Sequence, residues 1–263
     1  MSTKKIILLI NGRLGIRILR FVLNQSEIQI SGIIINSTQK RTSNYFDLIN
    51  GVLREFGKAP PVVPYEEVDN NYEKIREILE ISEYGISALF GHILPKKLLA
   101  DIGCEIINLH PSFLPIGRGA DPIPWSIINQ QKQGITIHII DSGLDTGDIL
   151  SQKEIQTDIG MNSGEIYELA SDMLFNELEV NFTSWLNKSH RVSNQSEVST
   201  PSHKSSELED LRVINSNEMA SFGEFVRKIQ ALTFSDGRKP LFIDESGRLW
   251  RIGFSLNSNR DEE

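Results

Sequence analysis

A single cysteine among 263 residues, Cys104, excludes an internal disulfide framework and argues against a cysteine-based zinc site. Its apolar surroundings, Glu105-Ile106-Ile107, suit a core filler better than a nucleophile. Long hydrophobic runs are missing too. Lys4 and Lys5 precede only five apolar residues, 6–10, before Asn11-Gly12, too few for a signal-peptide core or a membrane span. A cytoplasmic protein is expected, with no membrane insertion. Basic residues are also in short supply, 27 against 35 acidic for a formal charge of −8, which argues against a surface built to hold nucleic acid. What is present, 39% hydrophobic and 24% charged residues, suffices for an ordinary core and excludes a disordered or fibrous chain.

Hydrophobic periodicity predicts alternating strands and helices. Strands are expected at 4–10, 28–35, 61–63, 86–90 and 104–108, and helices at 16–23, 45–56, 72–81 and 96–100, with a turn over 11–15. This pattern implies an α/β, doubly wound, mainly parallel sheet with ligands at the carboxyl ends of its strands. Residues 109–125 hold four prolines and two glycines and read as an ordered loop, with a short helix opening at 124–129. Strands at 134–140 and 149–155 flank an acidic loop, Asp141-Ser-Gly-Leu-Asp145-Thr-Gly-Asp148. Asn162-Ser-Gly-Glu165 has capping-box spacing and leads into an amphipathic helix ending near Trp185.

The chain thus divides into a main domain over 1–186, a linker over 187–206 with seven serines, and a small α+β domain over 207–263. In the last part a helix is predicted at 220–232 and a hairpin at 241–252 turning at 245–247. So small a unit does not hide Phe222, Phe225, Leu232, Phe234, Leu241, Phe242, Leu249 and Trp250 by itself, so it should dock on the main domain or a second subunit; a homodimer is expected.

Two segments carry chemistry. Asn108 and His110 alternate at a strand end, so in extended backbone both leave the same face and reach one atom. An amide donor beside an imidazole suits a carbonyl oxygen turning negative in a tetrahedral transition state. Equally, Asn108 can satisfy loop backbone and His110 can be a polar strand end. Three carboxylates in an eight-residue loop, Asp141, Asp145 and Asp148, suit moving protons, orienting water or binding magnesium, but they lack EF-hand spacing. Gly12 and Gly15 after the first strand can admit a phosphate or simply make a tight turn; Arg13 and Arg118 can meet a diphosphate or stay on the surface.

Taken together, Asn108-Leu-His110-Pro-Ser-Phe-Leu-Pro115, His138 and Leu144-Asp-Thr-Gly147 resemble the formyltransferase family that uses 10-formyltetrahydrofolate. The likeness spans about residues 1–186 and implies a Rossmann-like formyltransferase domain. It implies Asn108, His110 and Asp145 as the catalytic trio; His92, Ile93, Leu94, His138 and Asp141 around the folate; and Gly12, Arg13, Leu14, Arg118 and Gly119 around the second substrate. It requires no metal. The segments 118–127, 141–150 and 227–244 look like the sugar nucleotide N-formyltransferases, with a C-terminal domain used in dimerisation. One departure is Ile116-Gly117, where many relatives carry an aromatic residue and asparagine, and it bears on how the sugar is held. The resemblance favours a dTDP-linked 4-amino-4,6-dideoxyhexose, best dTDP-4-amino-4,6-dideoxyglucose, destined for a bacterial surface polysaccharide such as O-antigen in lipopolysaccharide. Competing readings are a glycinamide ribonucleotide formyltransferase, which needs no such tail; a methionyl-tRNA formyltransferase, disfavoured by 11 basic and 12 acidic side chains in 187–263; and a non-catalytic folate or nucleotide sensor.

Overall fold

The computed structural model describes residues 3–36, 42–65, 71–100, 103–195, 201–215 and 221–253. Seven strands form one sheet in the order β3-β2-β1-β4-β5-β6-β7. These are β1 (Lys4–Ile10), β2 (Ile28–Asn36), β3 (Val62–Tyr65), β4 (Tyr84–Ala88), β5 (Glu105–His110), β6 (Gly134–Ile139) and β7 (Ile149–Glu154). Pairings from β3 through to β5 are parallel, whereas β5 and β6 run antiparallel, so the sheet is mixed. The order reverses at β1, which places a crevice between the carboxyl ends of β1 and β4.

Residues 6–10 have no exposed surface, as a central strand covered on both faces requires. Alternation then sorts the side chains. Ile7 and Leu9 pack with Ile34, Ile75, Ile78 and Leu98, which brings α3 (Tyr72–Glu80) and α4 (Lys96–Ala100) to one face. The opposite face takes α1 (Gly12–Leu23), whose Gly15 approaches so closely that an added Cβ would lie 2.9 Å from Ile10 Cβ and 2.5 Å from the Tyr45 hydroxyl of α2 (Thr42–Glu55). Phe21 of α1 meets Phe182 edge-on at 4.9 Å, and Trp185 is fully buried with its indole N–H donating to Glu105 at 2.8 Å; both aromatics lie on α6 (Ser163–Leu186). Truncating Trp185 to alanine would cost about 3–5 kcal/mol of stability.

Two compact units emerge. The first comprises residues 1–110, 136–151 and 174–195; the second comprises 111–135, 152–173 and 196–263. In the second unit, α5 (Pro122–Ile128) packs with α8 (Phe222–Ala231), and α7 (Ser205–Asp210) precedes a small sheet of β8 (Val213–Asn215), β9 (Leu241–Ile243) and β10 (Leu249–Arg251). The hairpin β9–β10 matches the sequence expectation. The parallel partner β8, three residues long, gives no periodic signal and was not foreseen. Ser221 and Glu224 cap α8 reciprocally; Ala220, the expected first residue, lies outside the described residues.

Other boundaries differ by local causes. Helix α1 begins at Gly12 instead of after a turn over 11–15, because the Asn11 side chain accepts from Gly12 N at 3.0 Å and caps it at once. The capping box at Asn162 and Glu165 forms as expected: Asn162 Oδ1 accepts from Gly164 and Glu165 N, and Glu165 returns the bond to Asn162 N at 2.8 Å. The serine-rich stretch is no uniform linker. Residues 187–195 belong to the first unit, 201–206 to the second, and 196–200 lie outside the described residues.

Candidate active site

The first unit brings together Asn108, His110, His138 and Asp145. Asn108 and His138 are directly opposed across the antiparallel β5–β6 pair, so their side chains share a face. Asn108 Nδ2 lies 3.2 Å from His138 Nε2, and His138 Nδ1 lies 3.0 Å from the Ile139 carbonyl. A carbonyl oxygen can only accept, so Nδ1 carries the proton; in the neutral ring Nε2 then accepts from the Asn108 amide. His138 thereby orients Asn108 with its NH2 group toward the site.

Asp145 reaches both imidazoles. Its Oδ2 is 3.8 Å from His110 Nε2 and its Oδ1 is 3.6 Å from His138 Nε2, with side-chain exposures of 13% for Asp145, 8% for His110 and 2% for His138. Both distances are longer than hydrogen bonds, and catalytic contacts of this kind are often long before substrate binds. The two rings stand nearly perpendicular, 6.1 Å apart. A shielded carboxylate facing two imidazoles and an amide donor can accept a proton and stabilise an oxyanion in one place.

The loop that carries Asp145 is shaped by its own side chains. Asp141 Oδ1 accepts from Gly143 N at 3.0 Å and from Thr146 Oγ1 at 2.6 Å, which turns the loop's first half. Asp145 has φ 51°, in the left-handed region that aspartate tolerates better than most residues. A Cβ on Gly147 would sit 1.8 Å from the Ile139 carbonyl oxygen, so only glycine fits against the end of β6. The second half is held from afar by Gln195 and Asn194, which the sequence reading assigned to a linker: Gln195 Nε2 donates to the Asp145 and Gly147 carbonyls, and Asn194 Nδ2 donates to Asp148 at 2.6 Å. Nothing in a serine-rich stretch signals this. The opposition of His138 and Asn108, by contrast, could have been found by pairing the two strands in register.

The remaining residues named from sequence take varied positions. His92 follows β4, and its Nε2 lies 2.9 Å from Asn36 Oδ1 at the end of β2, with the ring 4.8 Å from that of Tyr65. Ile93 is 71% exposed, whereas Leu94 is buried in the core. Gly12 opens α1 with φ 64° and Arg13 is exposed beside it, but Leu14 is 2% exposed, so its side chain belongs to the core and only its backbone can meet a ligand. Arg118 and Gly119 belong to the second unit, where Gly119 bridges to His203, and His203 stacks on Trp125 at 3.8 Å. Among the described residues no group of three or more His, Cys, Asp or Glu is arranged to hold a metal ion, and no helix is long and apolar enough to cross a membrane. Cys104 is pushed up to about 12, first by burial and then by Glu105, which suits a packing role.

Comparison with known proteins bears on this arrangement. The pattern of the formyl transferase family matches residues 23–174, a span containing all four site residues. A dTDP-4-amino-4,6-dideoxyglucose formyltransferase of Mycobacterium tuberculosis is 33% identical over 176 residues, covering 67% of this chain and 74% of that protein. A 4-N formyltransferase structure from Francisella tularensis superimposes with a TM-score of 0.81 at 20% identity, covering 98% of this chain and 100% of the other, a likeness of fold. An N-formyltransferase of Helicobacter canadensis, solved with folinic acid and dTDP-3-aminofucose, gives a TM-score of 0.65 at 18% identity over 90% of this chain and 82% of that one.

Proposed function

Because the chain belongs to the formyl transferase family, we propose that it transfers the formyl group of 10-formyltetrahydrofolate to the amine of a nucleotide-linked amino sugar. The convergence of Asn108, His110 and Asp145 on one shielded spot carries this reading. The M. tuberculosis relative supports dTDP-4-amino-4,6-dideoxyglucose as acceptor; a surface polysaccharide such as O-antigen in lipopolysaccharide is the destination proposed for the product. The folate and dTDP-sugar seen with the H. canadensis enzyme support the same pair of substrate classes.

In this mechanism the sugar amine attacks the formyl carbon, forming a C–N bond as the carbonyl electron pair moves onto oxygen. One Asn108 N–H is engaged by His138, and the other, together with protonated His110, donates to the oxyanion. The attacking nitrogen, now cationic, gives a proton to Asp145. Collapse of the oxyanion expels N10 of the folate, which takes up a proton and leaves as tetrahydrofolate. His92, Ile93 and Leu94, with His138 and Asp141, would flank the folate; Gly12, Arg13 and the Leu14 backbone would serve the sugar nucleotide. No step calls on a metal.

Residues 207–263 serve as a dimerisation element in this reading. Leu232 is fully buried, but Phe222, Leu249 and Trp250 are 79%, 56% and 46% exposed. Purified protein incubated with 10-formyltetrahydrofolate and a panel of nucleotide amino sugars should add one formyl mass to the dTDP 4-amino sugar, with or without chelator. Preferential formylation of glycinamide ribonucleotide would overturn the acceptor, and chelator-abolished turnover would overturn the metal-free route. Light scattering of the full chain should give a dimer that Trp250→Ser weakens; a monomeric wild type would remove the dimer.

A further inference from the structure

The strap over the acidic loop is the feature that the mechanism leaves unexplained. Ser193 and Ile149 exchange backbone hydrogen bonds at 2.8 and 2.9 Å, which docks the chain beside the start of β7. Two residues on, Gln195 Nε2 donates to the carbonyls of Asp145 at 2.9 Å and Gly147 at 2.8 Å, while Asn194 ties Asp148. Both carbonyls that Gln195 holds follow the Asp145 Cα, the first of them directly, so they fix the peptide that leaves Asp145 with its φ of 51°. An L-residue there lies above its right-handed alternative unless its surroundings fix it.

Resting on the activity proposed above, we propose that Gln195 is a positioning residue. It holds the Asp145 peptide in its left-handed conformation and so aims the carboxylate between His110 and His138. Relaxation of φ into the right-handed region redirects the Cα–Cβ bond and carries the carboxylate away from both imidazoles. The Asp141 side chain acts on other parts of the loop, accepting from Gly143 N and the Thr146 hydroxyl. Misplacement of a catalytic group by 1 Å can cost on the order of 10²-fold in rate.

The test uses the full chain with 10-formyltetrahydrofolate and dTDP-4-amino-4,6-dideoxyglucose. Gln195→Ala, and Gln195→Met, which keeps the length without the donors and serves if the alanine variant does not fold, should lower kcat about tenfold or more while both KM values stay within about twofold. In an Asp145→Asn background the same change should cost nothing further, because a residue acting through Asp145 has nothing left to position. A kcat within twofold of wild type, or a loss that adds to that of Asp145→Asn, would overturn the strap. Should the wild type formylate no sugar nucleotide, the activity is wrong, and hydrogen exchange over residues 141–148 decides the strap separately: faster exchange in the Gln195 variants supports it and equal exchange refutes it.

Discussion

Asn108 and Asp145 end up in the same site by opposite routes. Asn108 sits on β5, where the sheet fixes the backbone and the opposed His138 fixes the amide. Asp145 sits on a loop in a left-handed conformation, where the close fit of Gly147 and the side chain of Gln195, fifty residues away, hold it. A strand-borne group inherits its position from the fold; a loop-borne group needs a dedicated scaffold. The strand half should therefore tolerate changes around it, and the loop half should not.

The largest effect sharpens that contrast from the strand side. His110→Ala removes a donor at the reacting oxygen and should lower kcat by about 10²–10⁴-fold, with Asn108→Ala close behind at about 10²–10³-fold. Both variants should keep wild-type melting temperatures, and a large drop in melting temperature would mean that the strand end needs these side chains to fold.

A smaller effect tests the loop side. Gly147→Ala forces a Cβ against the Ile139 carbonyl, so the loop must lift off β6, at about 1–3 kcal/mol of stability. Activity should fall with it although the residue has no reactive group. Thermal denaturation and steady-state rates check this together, and an unaltered melting temperature would show that the loop yields freely.

The smallest effect lies at the other end of β5. Cys104, pushed up to about 12 by burial and by Glu105, holds little thiolate at pH 8 and should resist iodoacetamide in the folded protein while reacting in urea. Rapid labelling of the native chain would contradict a packing role.

The same division governs what was legible in the sequence. Apolar runs such as 6–10 mark buried parallel strands without ambiguity, and the two-residue spacing of Asn108 and His110 predicts a shared face because strand geometry is regular. Element order and the β9–β10 hairpin followed from such patterns. The antiparallel turn of β5 against β6 was not apparent, because the alternation of side chains along a strand reads the same in either direction. Gln195 was hidden for a different reason. Its hydrogen bonds go to backbone carbonyls, which carry no sequence identity, and it lies in a stretch whose composition signals only a lack of core. At Leu14 a turn was expected where α1 has already begun, so its side chain is buried and the proposed substrate contact falls to its backbone.

The central claim is that Asp145, and not a neighbouring carboxylate, handles the amine proton, and comparing kcat for Asp145→Asn with that for Asp148→Asn tests it most directly. Asp145→Asn should lose about 10²-fold or more in kcat with little change in KM for the sugar nucleotide, while Asp148→Asn, whose carboxylate pairs with Asn194, should stay far closer to wild type. Near-full turnover by a folded Asp145→Asn enzyme, with Asp148→Asn inactive, would contradict the account and move the base three positions along the loop.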